Sequence, residues 1–491
     1  RYDAAGRIAS ILTDGTETVH YTYNANGSRQ AVIYADGTRE DYIYDAASRV
    51  TLLIHTDRAG TVLDRYEYQY DAAGNLLLEK NARGTTTYTY DVDGKLLSAA
   101  EPDGMFTKYT YDAAGNRASK EETTPSGSRQ ETIYKYDASN RLQKEVYCDK
   151  IIEYTYDNNG NLLYQETNST ETAAETRSDP WEPESGQPVS GAAVFLVIPA
   201  SAATESAISL PDLVGAVSGC AVTGSAITYR YDNFNRLISY ENGSITAQYA
   251  YDGEDYRIHK TVSDAAGTKE TRYFYEGNQV AYEADASGNL TAHNVYGTTL
   301  ISRRVDGKNY YYLYNAHGDV VMLIDAMDGS IAATYDYDAF GTLISQTGEA
   351  DNSIRYAGYQ YDLETGLYYV NARYYNSTTG RFLTEDTYIG KYYDPLSLNR
   401  YTYCHNNPLR YTDPSGHGLF SFLAKGVIGA LVGGGIEYVK QRFVEKRKEI
   451  DWKAVAYEAV VGGVGALLGG SSNIKSLAKS AVKSGVSEAA Q

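Results

Sequence analysis

A tyrosine directly followed by Asp or Asn recurs along the first half of this chain, at Tyr23, Tyr44, Tyr70, Tyr90, Tyr111, Tyr136, Tyr156, Tyr231 and Tyr251. Most intervals are 20 or 21 residues; two are 25 or 26, and one is 75. A unit this short cannot bury its own apolar face, so its copies must stack to make a core. A repeat array growing along an axis also suits 491 residues better than one compact core.

The unit reads as two strands and two turns. In Tyr88-Thr89-Tyr90-Asp91-Val92-Asp93-Gly94-Lys95-Leu96-Leu97, Tyr88 and Tyr90 sit two apart and so share a strand face, with Thr89 opposite. The alternation returns at Tyr109/Tyr111, Tyr134/Tyr136, Tyr154/Tyr156, Tyr229/Tyr231 and Tyr249/Tyr251. Asp-x-x-Gly-Asn follows, from Asp71 to Asn75, Asp112 to Asn116 and Asp157 to Asn161. Asp opens a turn by accepting nearby backbone N–H groups, and Gly takes the position with positive φ. A second turn closes many units, as at Asp14-Gly15, Asp36-Gly37 and Asp103-Gly104. Stacked hairpins of this kind predict a long, twisted antiparallel sheet. Such a sheet must curl or close, because its edges and apolar face cannot all stay open. A propeller needs about four strands per blade and a period near 40. No Trp-Asp signature accompanies that alternative, and a spiralling, closed β-shell is the architecture expected.

Composition narrows the function classes. The 63 Asp and Glu outnumber 44 Lys and Arg, for a net charge of -19. That balance argues against nucleic acid as a partner of the shell, which would need clustered basic residues. It fits solubility or the holding of a basic cargo. Tyr is the outlier at 50 residues against 9 Phe and 2 Trp. Tyr suits a pleated, half-buried strand surface, and it also makes stacking platforms for sugars or bases. Cys148, Cys220 and Cys404 form no CxxC pair, and the seven His have no metal-ligand spacing. Neither a cofactor nor a metal is expected, and no P-loop, GxSxG or dinucleotide fingerprint is present.

The repeat and its Tyr-Asp core resemble the YD (RHS) repeat family, which includes bacterial RHS toxins, shell components of insecticidal toxin complexes, and teneurins. The resemblance covers roughly residues 1–418 and implies that the repeats wind into a hollow shell. It also implies a secreted or cell-surface protein. The chain opens within a repeat, at Tyr2-Asp3-Ala4-Ala5-Gly6-Arg7, so an export signal is expected upstream.

The period divides the chain. YD repeats fill residues 1–164 and 228–355, separated at 165–227 by an insertion with Pro180, Pro183 and Pro188 and the apolar run Val194-Phe195-Leu196-Val197-Ile198. Its Pro and Ser/Thr/Glu content predicts a flexible excursion, and the apolar run is too short to span a membrane. Residues 356–418 hold the densest motifs: Gly366-Leu367-Tyr368-Tyr369-Val370-Asn371-Ala372-Arg373-Tyr374-Tyr375-Asn376, Gly380-Arg381-Phe382-Leu383-Thr384-Glu385-Asp386 and Asp413-Pro414-Ser415-Gly416-His417. This segment resembles the RHS-associated core domain, which would close the shell. In several members it acts once, in cis, as an aspartyl protease that frees a C-terminal effector.

On that resemblance Asp386 and Asp413 match the two acids, Arg381 the core arginine, and the cut falls within Gly416, His417, Gly418 and Leu419. Two carboxylates brought together cannot both ionise easily, so one keeps a proton while the other activates water. An intramolecular cut needs no substrate affinity, because the chain supplies proximity. The same residues also read as plain structure: Asp-Pro-Ser-Gly as a turn, Asp386 as an Asx-turn, and Arg381 paired with Glu385. The first motif departs from the family pattern, with Thr387 where Pro is usual. Asp394, in Lys391-Tyr392-Tyr393-Asp394-Pro395-Leu396, becomes a third acidic candidate. His405 and His417 read as loop residues.

Beyond residue 418 the composition turns apolar and Gly/Ala-rich at 419–439 and 455–470, around a charged span at 440–453. Small residues three or four apart predict two packed antiparallel helices, a short α-helical tail that serves as a pre-toxin linker or a membrane-active hairpin. The partners implied are the chain's own C-terminal effector region, an immunity protein and secretion or delivery machinery. An adhesion protein whose tyrosine-rich outer face binds surface glycans is the alternative.

Overall fold

The computed structural model describes residues 1–169, 225–392 and 394–417, together with a short strand at 420–421. The apolar run at 194–198, most of the insertion and the C-terminal tail lie outside the described residues.

Twenty-seven strands form a single sheet, from β1 (Ser10–Thr13) to β27 (Leu343–Gly348), and each strand pairs antiparallel with the next. Among the described residues it is one continuous meander, with no separate blades. Its strands and turns follow directly from the motif. In each repeat the register shifts at the Tyr before Asp: between Thr89 and Tyr90, Thr110 and Tyr111, Lys135 and Tyr136, and Thr155 and Tyr156. A bulge bends a strand and adds twist, so a bulge in every repeat makes the sheet curl. The displaced ring then reaches back to the preceding hairpin. The hydroxyl of Tyr90 donates to the Leu76 carbonyl at 2.7 Å, Tyr111 to Leu96 at 2.7 Å, and Tyr136 to Arg117 at 2.9 Å. Phe cannot make that stitch, which accounts for Tyr at these positions.

The Asp that follows fixes the turn. Asp112 Oδ1 accepts the Ala114 and Asn116 N–H groups at 2.9 and 2.8 Å, and its Oδ2 accepts the Asn116 side chain at 3.0 Å. Where Arg replaces Asn, as in Asp45–Arg49 and Asp137–Arg141, a guanidinium fills the same place at 2.6 Å.

The curl brings early strands against late ones. Tyr34 donates to the Tyr312 carbonyl at 2.7 Å, His55 Nε2 lies 3.0 Å from the Tyr314 carbonyl, and Arg83 pairs with Asp336 at 3.3 Å. The middle strands instead face residues 352–417. Tyr134, Tyr154, Tyr229 and Tyr249 share one buried cluster with Leu367, Tyr369, Tyr374 and Leu383. At this end of the shell, therefore, the space within the curl is occupied by chain. The first Tyr of each pair points inward and is buried; among the described residues the large exposed tyrosines are Tyr2, Tyr282, Tyr388 and Tyr392. The inward face offers the apolar cover that the rings need.

All the Tyr-Asp turns lie along one rim of the sheet, since every second hairpin connection falls there, and residues 381–407 dock on that rim. Asn407 donates to Asn75 at 2.8 Å, Asn406 to the Gly115 carbonyl at 2.7 Å, Asn399 to Asn116 at 2.6 Å, and Tyr401 to the Gly160 carbonyl at 2.9 Å. The Tyr-Asp turns that end in Asn75, Asn116 and Asn161 are thus all covered by this segment. The insertion leaves from the opposite rim, between β15 (Leu162–Ser169) and β16 (Ser225–Tyr231), which remain paired. Among the described residues no helix is long and apolar enough to cross a membrane.

Candidate functional site: two carboxylates on one guanidinium

Beyond the sheet, β28 (Gln360–Asp362), β29 (Leu367–Val370), β30 (Arg373–Asn376) and β31 (Arg381–Phe382) form a second small sheet. Asp362, fully buried, anchors it to the shell by pairing with Arg257 at 2.5 and 3.1 Å and with Lys260 at 2.9 Å. The tight turn at Asn371 and Ala372 starts β30 with Arg373 paired to Val370.

Arg373 organises the site. Its guanidinium lies 3.6 Å from the Phe382 ring centroid, which stacks it in place. Nη2 is 2.6 Å from Asp386 Oδ2 and 3.4 Å from Asp413 Oδ2, Nη1 donates to the Arg400 carbonyl at 3.1 Å, and Nε donates to the Gly416 carbonyl. Asp413 is set by Tyr359, whose hydroxyl accepts the Asp413 N–H at 2.7 Å, and Asp413 Oδ1 accepts the Gly416 N–H at 2.9 Å. Gly416 adopts φ +75°, and a Cβ there would lie 2.3 Å from the Val370 carbonyl oxygen. No other residue fits this approach.

Asp386 Oδ1 accepts the Tyr388 N–H at 2.9 Å and lies 3.3 Å from His417 Nδ1. Burial alone would raise the Asp386 pKa, but the His417 hydrogen bond and the Arg373 charge outweigh it and hold the carboxyl below its ordinary value. Burial pulls the Arg373 pKa down, opposed by both carboxylates. The two carboxylates meet on one cation, Arg373, at 2.6 and 3.4 Å.

The structure brings together Asp386, Asp413, Gly416 and His417, and leaves Arg381 out. Arg381 Nη1 donates to Asn116 Oδ1 at 3.0 Å, its Nη2 donates to the Asn140 carbonyl, and its guanidinium lies over Tyr136 and Tyr401. The reason is strand alternation: Phe382 faces Arg373, so its neighbour Arg381 faces the shell rim. Glu385 pairs with Arg400 at 2.6 Å, not with Arg381. Gly418 and Leu419 lie outside the described residues. Asp394 borders a cavity of roughly 330 Å³ that Arg373, Asp386, Asp413, Cys404, His405 and His417 also line. Cys404, His405 and Asn406 all take left-handed φ of 50 to 59°, an uncommon run of local strain on the wall of that cavity. Burial pushes the Cys404 thiol pKa well up, and the nearby Asp413 adds to it. Among the described residues no group of three His, Cys, Asp or Glu side chains is placed to hold a metal.

The repeat geometry now meets its relatives. A profile of the teneurin YD-shell matches residues 1–126 and 217–409. The chain belongs to the teneurin YD-shell family. Its relatives include the tRNA3(Ser)-specific nuclease WapA of Bacillus spizizenii, 31% identical over 83% of this chain, and the tRNA nuclease WapA of Bacillus subtilis, 31% identical over 96%. This YD-shell chain spans 15% and 17% of the length of those two proteins. Among solved structures, the Photorhabdus luminescens Tc holotoxin pore overlays 85% of this chain and 20% of its own with a TM-score of 0.61. At 19% identity that likeness establishes the fold alone.

Proposed function

We propose that this chain is the closing end of a toxin-delivery shell, which holds its own C-terminal effector region and cuts the link to it once, in cis, within Gly416, His417, Gly418 and Leu419. The observation that carries the reading is Arg373, which bridges Asp386 and Asp413 while donating to the Gly416 carbonyl. Family membership and the nuclease and toxin names of several relatives give the reading its context. In this account the shell is secreted or surface-bound and meets delivery machinery, and an immunity protein answers the effector.

The chemistry is hydrolysis of one peptide bond. Asp386, charged and beside a cavity with room for water, takes a proton as the water oxygen attacks the carbonyl carbon. Arg373 receives the negative charge that grows on the carbonyl oxygen. As the C–N bond breaks, the proton passes to the departing nitrogen, leaving a carboxyl terminus and a free amine. Asp413 holds the Gly416 amide and the guanidinium in position. The glycan-binding alternative loses its premise, since the tyrosines turn inward.

Asp386→Asn and Asp413→Asn test the reading on gels of the folded chain. The account expects two fragments from the wild type and a cleavage rate lowered at least about 100-fold in each variant. A wild-type chain that stays whole under native conditions refutes the proteolytic step.

A further inference from the structure

Four large apolar side chains stand out of one short loop beside the carboxylate site: Tyr388 at 45% exposed, Ile389 at 74%, Tyr392 at 89% and Leu398 at 45%. The loop is no loose excursion. A Lys391–Asp394 bridge folds it back, Ser397 Oγ accepts the Lys391 N–H at 2.8 Å, and Gly390 lies so close that a Cβ there would be 2.3 Å from the Ser397 carbonyl oxygen. Its far end is pinned to the rim, where Asn399 donates to the Ala114 carbonyl at 3.1 Å. A tethered loop has no need of an apolar outer side, and clustered exposed apolar residues mark a contact surface.

The place where the described chain ends tells what covers it. Strand β32 (Tyr411–Thr412) pairs with β33 (Phe420–Ser421), so the chain leaves the structure beside Asp413. Asp413 and Tyr388 line the same cavity. The next residues are Phe422-Leu423-Ala424-Lys425-Gly426-Val427-Ile428, the first of seventy that follow Ser421. An extended chain advances about 3.3–3.6 Å per residue, so a run of seven residues can reach about 23–25 Å from Ser421.

We infer that Tyr388, Ile389, Tyr392 and Leu398 form a seat for the apolar segment at 422–439, a docking site that keeps the C-terminal region on the shell after its link is cut. This rests on the reading that the C-terminal region is the shell's cargo, and adds to it the surface that grips it. Burial of apolar surface supplies the hold. The seat is made of this chain's own departure from the family pattern between Asp386 and Leu398.

The test is photocrosslinking of the full chain with benzoylphenylalanine in place of Ile389, and separately in place of the fully exposed Val92 on a distant turn. The expected result is a bond from position 389 to peptides within 422–439 of the same chain, several-fold weaker when Phe422 and Leu423 are both changed to Asp, and none from position 92. Crosslinks to a second copy, to other parts of the chain, or to nothing overturn the seat. Limited proteolysis of the same samples separates the two readings. A protease-resistant C-terminal region without the crosslink sinks the seat and leaves enclosure standing; a freely digested region sinks both.

Discussion

At the scale of single residues, the Tyr-Asp pair acts as a stitch followed by a clamp. The Tyr ring sits at a bulge and ties its own hairpin to the one before, while Asp closes the turn with three accepted hydrogen bonds. Tyr111→Phe keeps the ring and removes the bond to the Leu96 carbonyl, so it should cost about 1 kcal/mol in denaturant unfolding. An unchanged midpoint would remove the stitch from the account. Charge buried within the curl gives a second prediction. Burial, with like charge from Asp319 and Glu101, pushes the Glu79 pKa up to about 8. A carboxyl whose folded pKa is raised binds its proton more tightly when folded. That stability is present below the ordinary value of 4.5 and is lost as pH rises through about 8. His317 lines the same cavity as Glu79, and Asp319 raises its pKa against the opposing effect of burial, so its contribution too is lost as pH climbs. Glu79→Gln should match the wild type near pH 4 and be the more stable protein at pH 9, read as melting temperature against pH. Equal profiles would place Glu79 in water.

At the scale of elements, the informative variation lies at one position of the turn. Asn75, Asn116 and Asn161 are buried, while Arg49, Arg141 and Arg236 close their own turns as ion pairs. Asn116 shows why: it accepts from Arg381 and Asn399 and donates to Asp112 and Asn140. Asn116→Ala strands two buried donors and should loosen residues 376–410 by about 2–4 kcal/mol, seen as faster amide exchange confined to that stretch. Exchange unchanged there would mean that the rim does not hold the closing segment. Much of this level was legible beforehand. The period, the paired tyrosines and the Asp turns gave strands and turns where they are found, because each is a local rule. The bulge was not legible, since it depends on which residue of the next strand faces each Tyr. The arginine was misplaced for the same reason. Arg373 and Arg381 both stand in the quoted motifs, but which one meets the acids depends on the register of β30 against β31. The Phe382 ring beneath Arg373 was the available sign, because neighbours on a strand face opposite ways.

At the scale of the whole molecule, a sheet of 27 strands stays within one fold because a bulge bends each repeat and a closing segment fills the curve. One buried ion pair does much to join sheet and segment: Asp362 with Arg257, both fully buried. The closing segment then delivers Arg373, Asp386 and Asp413 to the point where the chain departs. Fold, rim and site thus converge on Gly416, and the central claim is that the covalent link is severed there. The most direct measurement is the intact mass of the freshly folded chain, with the amino terminus of any smaller fragment read by sequencing. The account predicts a second species starting at His417, Gly418 or Leu419 in the wild type and none when Arg373 is replaced by Met; one full-length mass, or a fragment starting elsewhere, would contradict it.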